Sequence, residues 1–205
     1  MSILPSPRLT PEQYLEIERG CEQKHQFYRG EMFAMSGASI AHNLVTFNLA
    51  GVLHAQLKDR DCQAFVNDMR VHIPSTGLYT YPDGIITCEK PRFQDDHFDT
   101  LLNPQVIIEV LSPSTENYDR SKKFKQYREI DSLQDYVLIA QDSAIIERFS
   151  HDEHGNWFMV DAQELGATME LPAVDCKLPL ADIYAKVEFP EVTKEDLAKA
   201  GLFSE

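Results

Sequence analysis

Tyr81-Pro82-Asp83-Gly84-Ile85-Ile86-Thr87-Cys88 and Val106-Ile107-Ile108-Glu109-Val110-Leu111 decide the fold. Gly84–Cys88 and Val106–Leu111 are short, apolar and β-branched, the composition of buried strands. Asp83 stands ahead of the first run and Glu109 lies inside the second. A carboxylate within Val-Ile-Ile-Glu-Val is costly to bury unless something compensates it. The usual compensators are a cation, a metal ion or a catalytic task. Asp83 and Glu109 are therefore the first candidate functional residues.

Outward from these runs, the chain reads as alternating helices and strands. Thr10-Pro11-Glu12-Gln13 opens a helix to about Glu18, with a Thr cap, Pro in the first turn and Gln three residues after the cap. Gln26 to Met35 reads as a hairpin turning at Arg29-Gly30. Ile40 to Leu57 carries Leu44, Phe47, Val52 and Leu53 and predicts a long helix. Gln63–Val66 and Met69–Ile73 are expected strands, stopped by Pro74 and Gly77. Glu89–Asp99, with its Asp95-Asp96-His97-Phe98-Asp99 cluster, is expected to be a mobile acidic loop.

After the Glu109 strand, Ser112-Pro-Ser-Thr115 leads into a helix from about Asn117 to Ile130. Further strands are expected at Asp135–Ala140, Ile145–Phe149, Trp157–Val160 and Thr168–Leu171, and a peripheral terminal helix at about Thr193–Ala200. There are no repeats, linkers or low-complexity tracts. The expectation is one α/β (α+β) domain over residues 1–205, its core at about 9–190, with a sheet of mixed direction.

The 205 residues suffice for one full core, and an apolar content of 43% makes the chain globular rather than disordered. Cys21, Cys62, Cys88 and Cys176 show no CxxC pairing, so neither a zinc site nor a disulfide framework is expected. Met1–Pro11 has three prolines and no apolar core, so no signal peptide is read, and no apolar run approaches the roughly 20 residues of a bilayer span. A soluble, cytoplasmic protein is expected. The formal net charge of −14 argues against a general nucleic-acid coat protein but not against a nuclease, because local charge governs a cleft. Base is concentrated in one segment, Arg120-Ser-Lys-Lys-Phe-Lys-Gln-Tyr-Arg128.

That segment lies on the helix after the Glu109 strand. At about 100° per residue, with Phe124 at zero, Tyr127 falls at about 300° and Ile130 at about 240°, which defines an apolar stripe. Lys123 falls at about 260°, inside the stripe, whereas Lys122 and Lys125 fall at about 160° and about 100°, outside it. Lys123 should point toward the sheet; Lys122 and Lys125 should face solvent or a ligand. Two acids and a water or carbonyl can hold Mg²⁺ or Mn²⁺. Such an ion polarises a phosphate and acidifies a bound water, and a lysine beside it can orient that water and stabilise phosphoryl charge. Metal-assisted phosphodiester hydrolysis is the reaction class that needs these parts.

Pro82-Asp83 followed by Glu109-Val110-Leu111 on an apolar strand resembles the PD-(D/E)XK nuclease superfamily. More closely, Glu109-Val-Leu-Ser-Pro-Ser-Thr, then Asp119-Arg120, Lys123 and Tyr127, then Tyr136-Val-Leu-Ile, resembles the Uma family of restriction endonucleases. Gly30-Glu31, Met35-Ser36 and His42 also match, and the resemblance runs from about Leu9 to Pro190. The superfamily lysine would fall at Leu111, which cannot do its work. The resemblance displaces it to Lys123, the residue the helical periodicity selects independently. It also implies a restriction-endonuclease-like core, a mixed central sheet flanked by helices, with Glu31 joining Asp83 and Glu109 at the metal. DNA is the implied substrate, and nucleases of this fold often act as homodimers.

Plainer readings stand beside these. Asp83 is also a common turn aspartate after proline, Glu109 could serve a structural ion pair, and Lys123 could cover apolar surface with its stem. Glu31 could be only a hairpin residue. His42 could be a packing histidine, or support the site or a phosphate, and Tyr127 could be core. Arg120, Lys122 and Lys125 form either a phosphate track or a solvated helix face. Three functions remain open: a metal-dependent DNA endonuclease, a nuclease whose substrate is RNA or a structured junction rather than plain duplex DNA, or a non-catalytic nucleic-acid- or protein-binding module on the same fold.

Overall fold

The computed structural model describes residues 8–35 and 37–190. Its elements in chain order are α1 (Pro11–Gly20), β1 (His25–Tyr28), β2 (Glu31–Ala34), α2 (Ile40–Leu57), β3 (Gln63–Val66), β4 (Arg70–Ile73), β5 (Leu78–Thr80), β6 (Gly84–Thr87), β7 (Thr100–Leu101) and β8 (Val106–Val110). There follow α3 (Glu116–Tyr118), a π-helical turn (Asp119–Lys123), α4 (Phe124–Tyr127), β9 (Asp135–Ile139), β10 (Ile145–His151), β11 (Trp157–Gln163), β12 (Thr168–Leu171), a 3₁₀ turn (Pro172–Val174), β13 (Cys176–Pro179) and α5 (Leu180–Ile183). The expected helix at 193–200 lies outside the described residues.

Local chemistry accounts for several boundaries. Thr10 and Gln13 form a reciprocal capping box at α1, with Pro11 in its first turn. The β1–β2 hairpin turns on Arg29 and Gly30, with φ of 50° and 89°, the left-handed pair that a two-residue turn requires. At α2, the Ser39 hydroxyl accepts the His42 N–H at 3.0 Å. The buried stripe of α2 is Val45, Leu49, Leu53 and Leu57, a spacing of four. Phe47, expected inside, is 77% exposed.

The mixed central sheet has six strands in the order β11-β10-β9-β8-β6-β3. Its β8–β9 pair is parallel and the other pairs are antiparallel. A parallel pair needs a crossover, and α3, the π turn and α4 supply it. The sequence reading gathered the strands into one sheet. The structure adds a five-stranded sheet, β2-β1-β5-β4-β7, and a β12–β13 ribbon; β5, β7 and β13 were too short or too polar to read.

Strand alternation divides the core. Ile108 and Val110 pack with the α2 stripe on one face, while Ile107 and Leu111 pack with Tyr127, Ile130 and the second sheet on the other. Glu109 alternates with Ile108 and Val110, so it faces the crossover helix. Fully burying one side chain of the α2 stripe contributes about 1.5–3 kcal/mol, so the helix is firmly seated.

Three further expectations are corrected. Cys62 and Cys88 form a disulfide; they flank the paired ends Gln63 and Thr87 of β3 and β6, a proximity their spacing in sequence conceals. The acidic loop is not loose: Arg19 binds Asp95 and Asp99 at 2.7 and 2.8 Å, and Arg70 reaches Asp99 at 3.0 Å. The helix expected over 117–130 is interrupted by the π turn, which lies where the candidate lysine sits.

Candidate active site

Gly84 pairs with Ile108 in the antiparallel β6–β8 register, so one step outward Asp83 faces Glu109. Asp83 lies just before β6, not in it. Its Oδ2 accepts the backbone N–H of Val110 at 2.7 Å, and its Oδ1 lies 3.2 Å from Nε2 of His42. The carboxylate is thus held from the neighbouring strand and from the first turn of α2. Gly84 permits this approach: a Cβ there would meet Ile108 Cβ and Leu49 Cδ2, both at 3.2 Å. His42 is two turns before Leu49, so it continues the buried stripe of α2 to the carboxylate.

Upstream, Tyr81 anchors the same loop. Its hydroxyl donates to Glu18 Oε1 at 3.0 Å and accepts from Arg70 Nη1 at 2.8 Å. Burial pushes the Tyr81 phenol up to about 12, so it remains a donor at neutral pH.

Glu109 is 4% exposed. Its Oε1 accepts the Tyr127 hydroxyl at 2.7 Å and lies 2.8 Å from Lys123 Nζ. Lys123 also reaches Asp119 Oδ1 at 3.3 Å, and Asp119 is 3% exposed. Asp119, Lys123 and Tyr127 recur every fourth residue. In a regular helix that spacing drifts by about 40° per step; the wider π turn slows the angular advance and offsets the drift. All three side chains are buried on the same side as a result, and π turns recur at functional sites.

The charges do not balance internally. Three carboxylates, Asp83, Glu109 and Asp119, surround one ammonium. Burial pushes Glu109 up to about 8, and Asp119 and Asp83 oppose the lowering by Lys123. For Lys123, burial favours the neutral amine, but Glu109 and Asp119 more than offset it and hold the amine above the ordinary lysine range. Burial, reinforced by Glu109, raises the Tyr127 phenol well above its usual value and keeps it a donor to Glu109.

The remaining sequence candidates lie outside this cluster. Arg120 is held by Glu116 and Glu147. Lys122 and Lys125 are exposed and line a cleft of about 690 Å³ between the β1–β2 hairpin and the crossover helix. Glu31 is an exposed hairpin residue opposite Tyr28, with no contact to Asp83 or Glu109 recorded among the described residues. Among those residues, no group of three or more His, Cys, Asp or Glu side chains is arranged to hold a metal ion. Sequence reasoning passed over Asp119 as a site residue; its spacing of four from Lys123 was the available signal.

A model of the Uma2 family, described as "Putative restriction endonuclease", matches residues 11–181. The chain belongs to the Uma2 family. Two Synechocystis relatives are similar along nearly their whole length. The uncharacterized protein slr1290 is 33% identical over 90% of this chain and 96% of its own. The uncharacterized protein sll1609 is 35% identical over 83% of this chain and 96% of its own. The fold is that of a crystal structure from Anabaena variabilis titled "putative nuclease belonging to DUF820", with a TM-score of 0.69 at 17% identity, over 88% of this chain and 99% of that one. The matched Uma2 span contains Asp83, Glu109, Asp119 and Lys123. Among the described residues no helix is long and apolar enough to cross a membrane.

Proposed function

We propose that the chain is a divalent-metal-dependent endonuclease that hydrolyses phosphodiester bonds in DNA. The observation that carries this reading is the Lys123–Glu109 contact at 2.8 Å, on the strand face where Asp83 stands opposite Glu109. Family membership supports the reaction class.

The donor set fits Mg²⁺ or Mn²⁺. Its ligands are hard carboxylate oxygens, and such ions are commonly held by one or two carboxylates with water and substrate phosphate completing the shell. Three buried or half-buried acids against one lysine leave a negative excess that a divalent cation offsets. Asp83 and Glu109 would hold it, and Glu31 is the further ligand suggested by the family resemblance. The ion, when bound, polarises the phosphate and lowers the pKa of a coordinated water.

The side chains supply the rest. The Val110 N–H and His42 fix both oxygens of Asp83. Tyr127 and Lys123 orient Glu109 through Oε1. Lys123 orients water and stabilises negative charge developing on the phosphoryl oxygens. Incubation with plasmid and branched DNA in Mg²⁺ or Mn²⁺ tests the reading. Cleavage is expected, with Asp83→Asn and Glu109→Gln each slower by about 100-fold or more; no cleavage, or equal cleavage by Asp83→Asn, overturns it.

The second reading is a non-catalytic binding module. The net charge of −14 and the lack of a three-donor cluster among the described residues favour it. Calorimetric titration with Mn²⁺ separates the two: binding abolished by Glu109→Ala supports the nuclease, and no binding supports the module. The substrate and a homodimeric state belong to the nuclease reading as further expectations.

A further inference from the structure

The crossover helix has two working faces. Asp119, Lys123 and Tyr127 point inward. Tyr118, Lys122 and Lys125 line the cleft of about 690 Å³, whose opposite wall is the β1–β2 hairpin with Tyr28, Arg29 and Phe33. The hairpin register pairs Gln26 with Phe33 and Tyr28 with Glu31, which places these four side chains on one face. Gln26 donates to the Tyr118 hydroxyl, so that face looks at the helix.

The cleft's chemistry departs from the rest of the chain. In a protein of net charge −14, three cations line it against Glu129, with Glu31 on the same hairpin face. Arg29, Lys122 and Lys125 form no ion pair among the described residues, whereas Arg120 on the same helix is doubly paired. Between the cations stand three aromatic rings. Phe33 is 47% exposed, and the Arg29 guanidinium lies 5.0 Å from the Tyr28 ring centroid. Cations interleaved with aromatic rings, of which Phe33 is open to solvent, match a strand whose bases are unpaired, since only unpaired bases offer both faces for stacking. A duplex presents its phosphates and keeps its bases stacked inside.

We propose that this cleft binds a single-stranded nucleic-acid segment, its bases against Phe33, Tyr28 and Tyr118 and its phosphates near Arg29, Lys122 and Lys125. The substrate of the adjoining site is then a nucleic acid with an unpaired stretch. The statement about what is cut rests on the nuclease reading; the binding does not.

The test is fluorescence anisotropy in EDTA, which prevents metal-dependent cleavage. The probe is a labelled mixed-sequence oligonucleotide, offered as single-stranded DNA, single-stranded RNA and annealed DNA duplex. At least one single strand is expected to bind about tenfold or more tightly than the duplex. Phe33→Ala, which truncates an exposed side chain, should weaken that binding roughly fivefold or more and leave duplex binding within about twofold. Joint replacement of Lys122 and Lys125 by Gln should flatten the salt dependence by roughly one unit of logarithmic slope, and Lys58→Gln should not. Thermal melts of each variant confirm the fold. Equal affinity for single strand and duplex, or unchanged single-strand binding by Phe33→Ala, overturns the proposal, even if metal-dependent duplex cleavage is observed. Single-strand preference lost in Phe33→Ala upholds it, even if no substrate is cleaved and the nuclease reading falls.

Discussion

The ammonium of Lys123 lies 2.8 Å from Oε1 of Glu109, so a strand acid and a helix lysine meet although neither belongs to the other's element. The βαβ connection brings them together. A crossover between parallel strands must pack back on their sheet, and here it packs on the face that carries Ile107, Glu109 and Leu111, opposite the face of Ile108 and Val110.

Lys123→Met should therefore affect stability as well as activity. It removes the lysine that pairs with Glu109 and Asp119. Breaking a buried pair by removing one partner costs about 3–5 kcal/mol. Urea denaturation in EDTA should show a loss of that size, and metal-dependent cleavage should fall by about 100-fold or more. A loss below about 1 kcal/mol would show that the cluster is already neutralised by protons.

His42→Ala should weaken function with little effect on folding. His42 fixes Asp83 Oδ1 at 3.2 Å, while Oδ2 keeps the Val110 N–H. Residues that orient a metal ligand typically affect affinity or activity by about 10–100-fold. The expected readout is weaker Mn²⁺ binding by calorimetry and slower cleavage within that range. An unchanged Mn²⁺ affinity would reduce His42 to packing.

Arg19→Ala should act through pH. Hydrogen bonds from Arg19 hold the Asp99 carboxyl well below its ordinary range against the opposing effect of burial, with Thr100 and Arg70 assisting, and Asp95 is lowered by the same arginine. A depressed carboxyl contributes stability above its unfolded value of 3.8 and loses it as pH falls toward the folded value. The partly exposed pairing contributes roughly 0.5–1 kcal/mol at neutral pH. Acid titration by circular dichroism should place the variant's unfolding midpoint at higher pH, with the difference vanishing in strong acid. A constant difference at every pH would assign the loss to packing instead.

The two strands and the inward lysine were legible because apolar runs and helical spacing are local signals. Gln63–Val66, Asp135–Ile139 and the Arg29-Gly30 turn were legible for the same reason. What escaped depends on residues distant in sequence. Cys62 meets Cys88 only once β3 registers against β6. Asp95 and Asp99 look like a solvated run until Arg19 is placed beside them. The stripe of α2 was misassigned because the helix is apolar nearly all round, so Phe47 could be told from Val45 only by the sheet it packs on. Asp119, followed by Arg120 and two lysines, reads as part of an exposed charged face; the π turn that buries it has no comparable signature.

Gly84→Ala links the fold to the site most directly. A methyl at this position would stand 3.2 Å from both Ile108 Cβ and Leu49 Cδ2, one a strand residue directly opposite and the other on the stripe of α2. Neither atom moves alone, because Ile108 is fixed in a ladder between β6 and β9 and Leu49 is fully buried. Overpacking of a tight core typically costs about 1–3 kcal/mol, and a lower urea midpoint of that size is expected. The easier response is an outward shift of α2, which carries His42 away from Asp83. Mn²⁺ affinity should then fall as in His42→Ala, and adding His42→Ala to Gly84→Ala should weaken it little further. Fully additive losses in the double variant would show that the glycine serves packing alone.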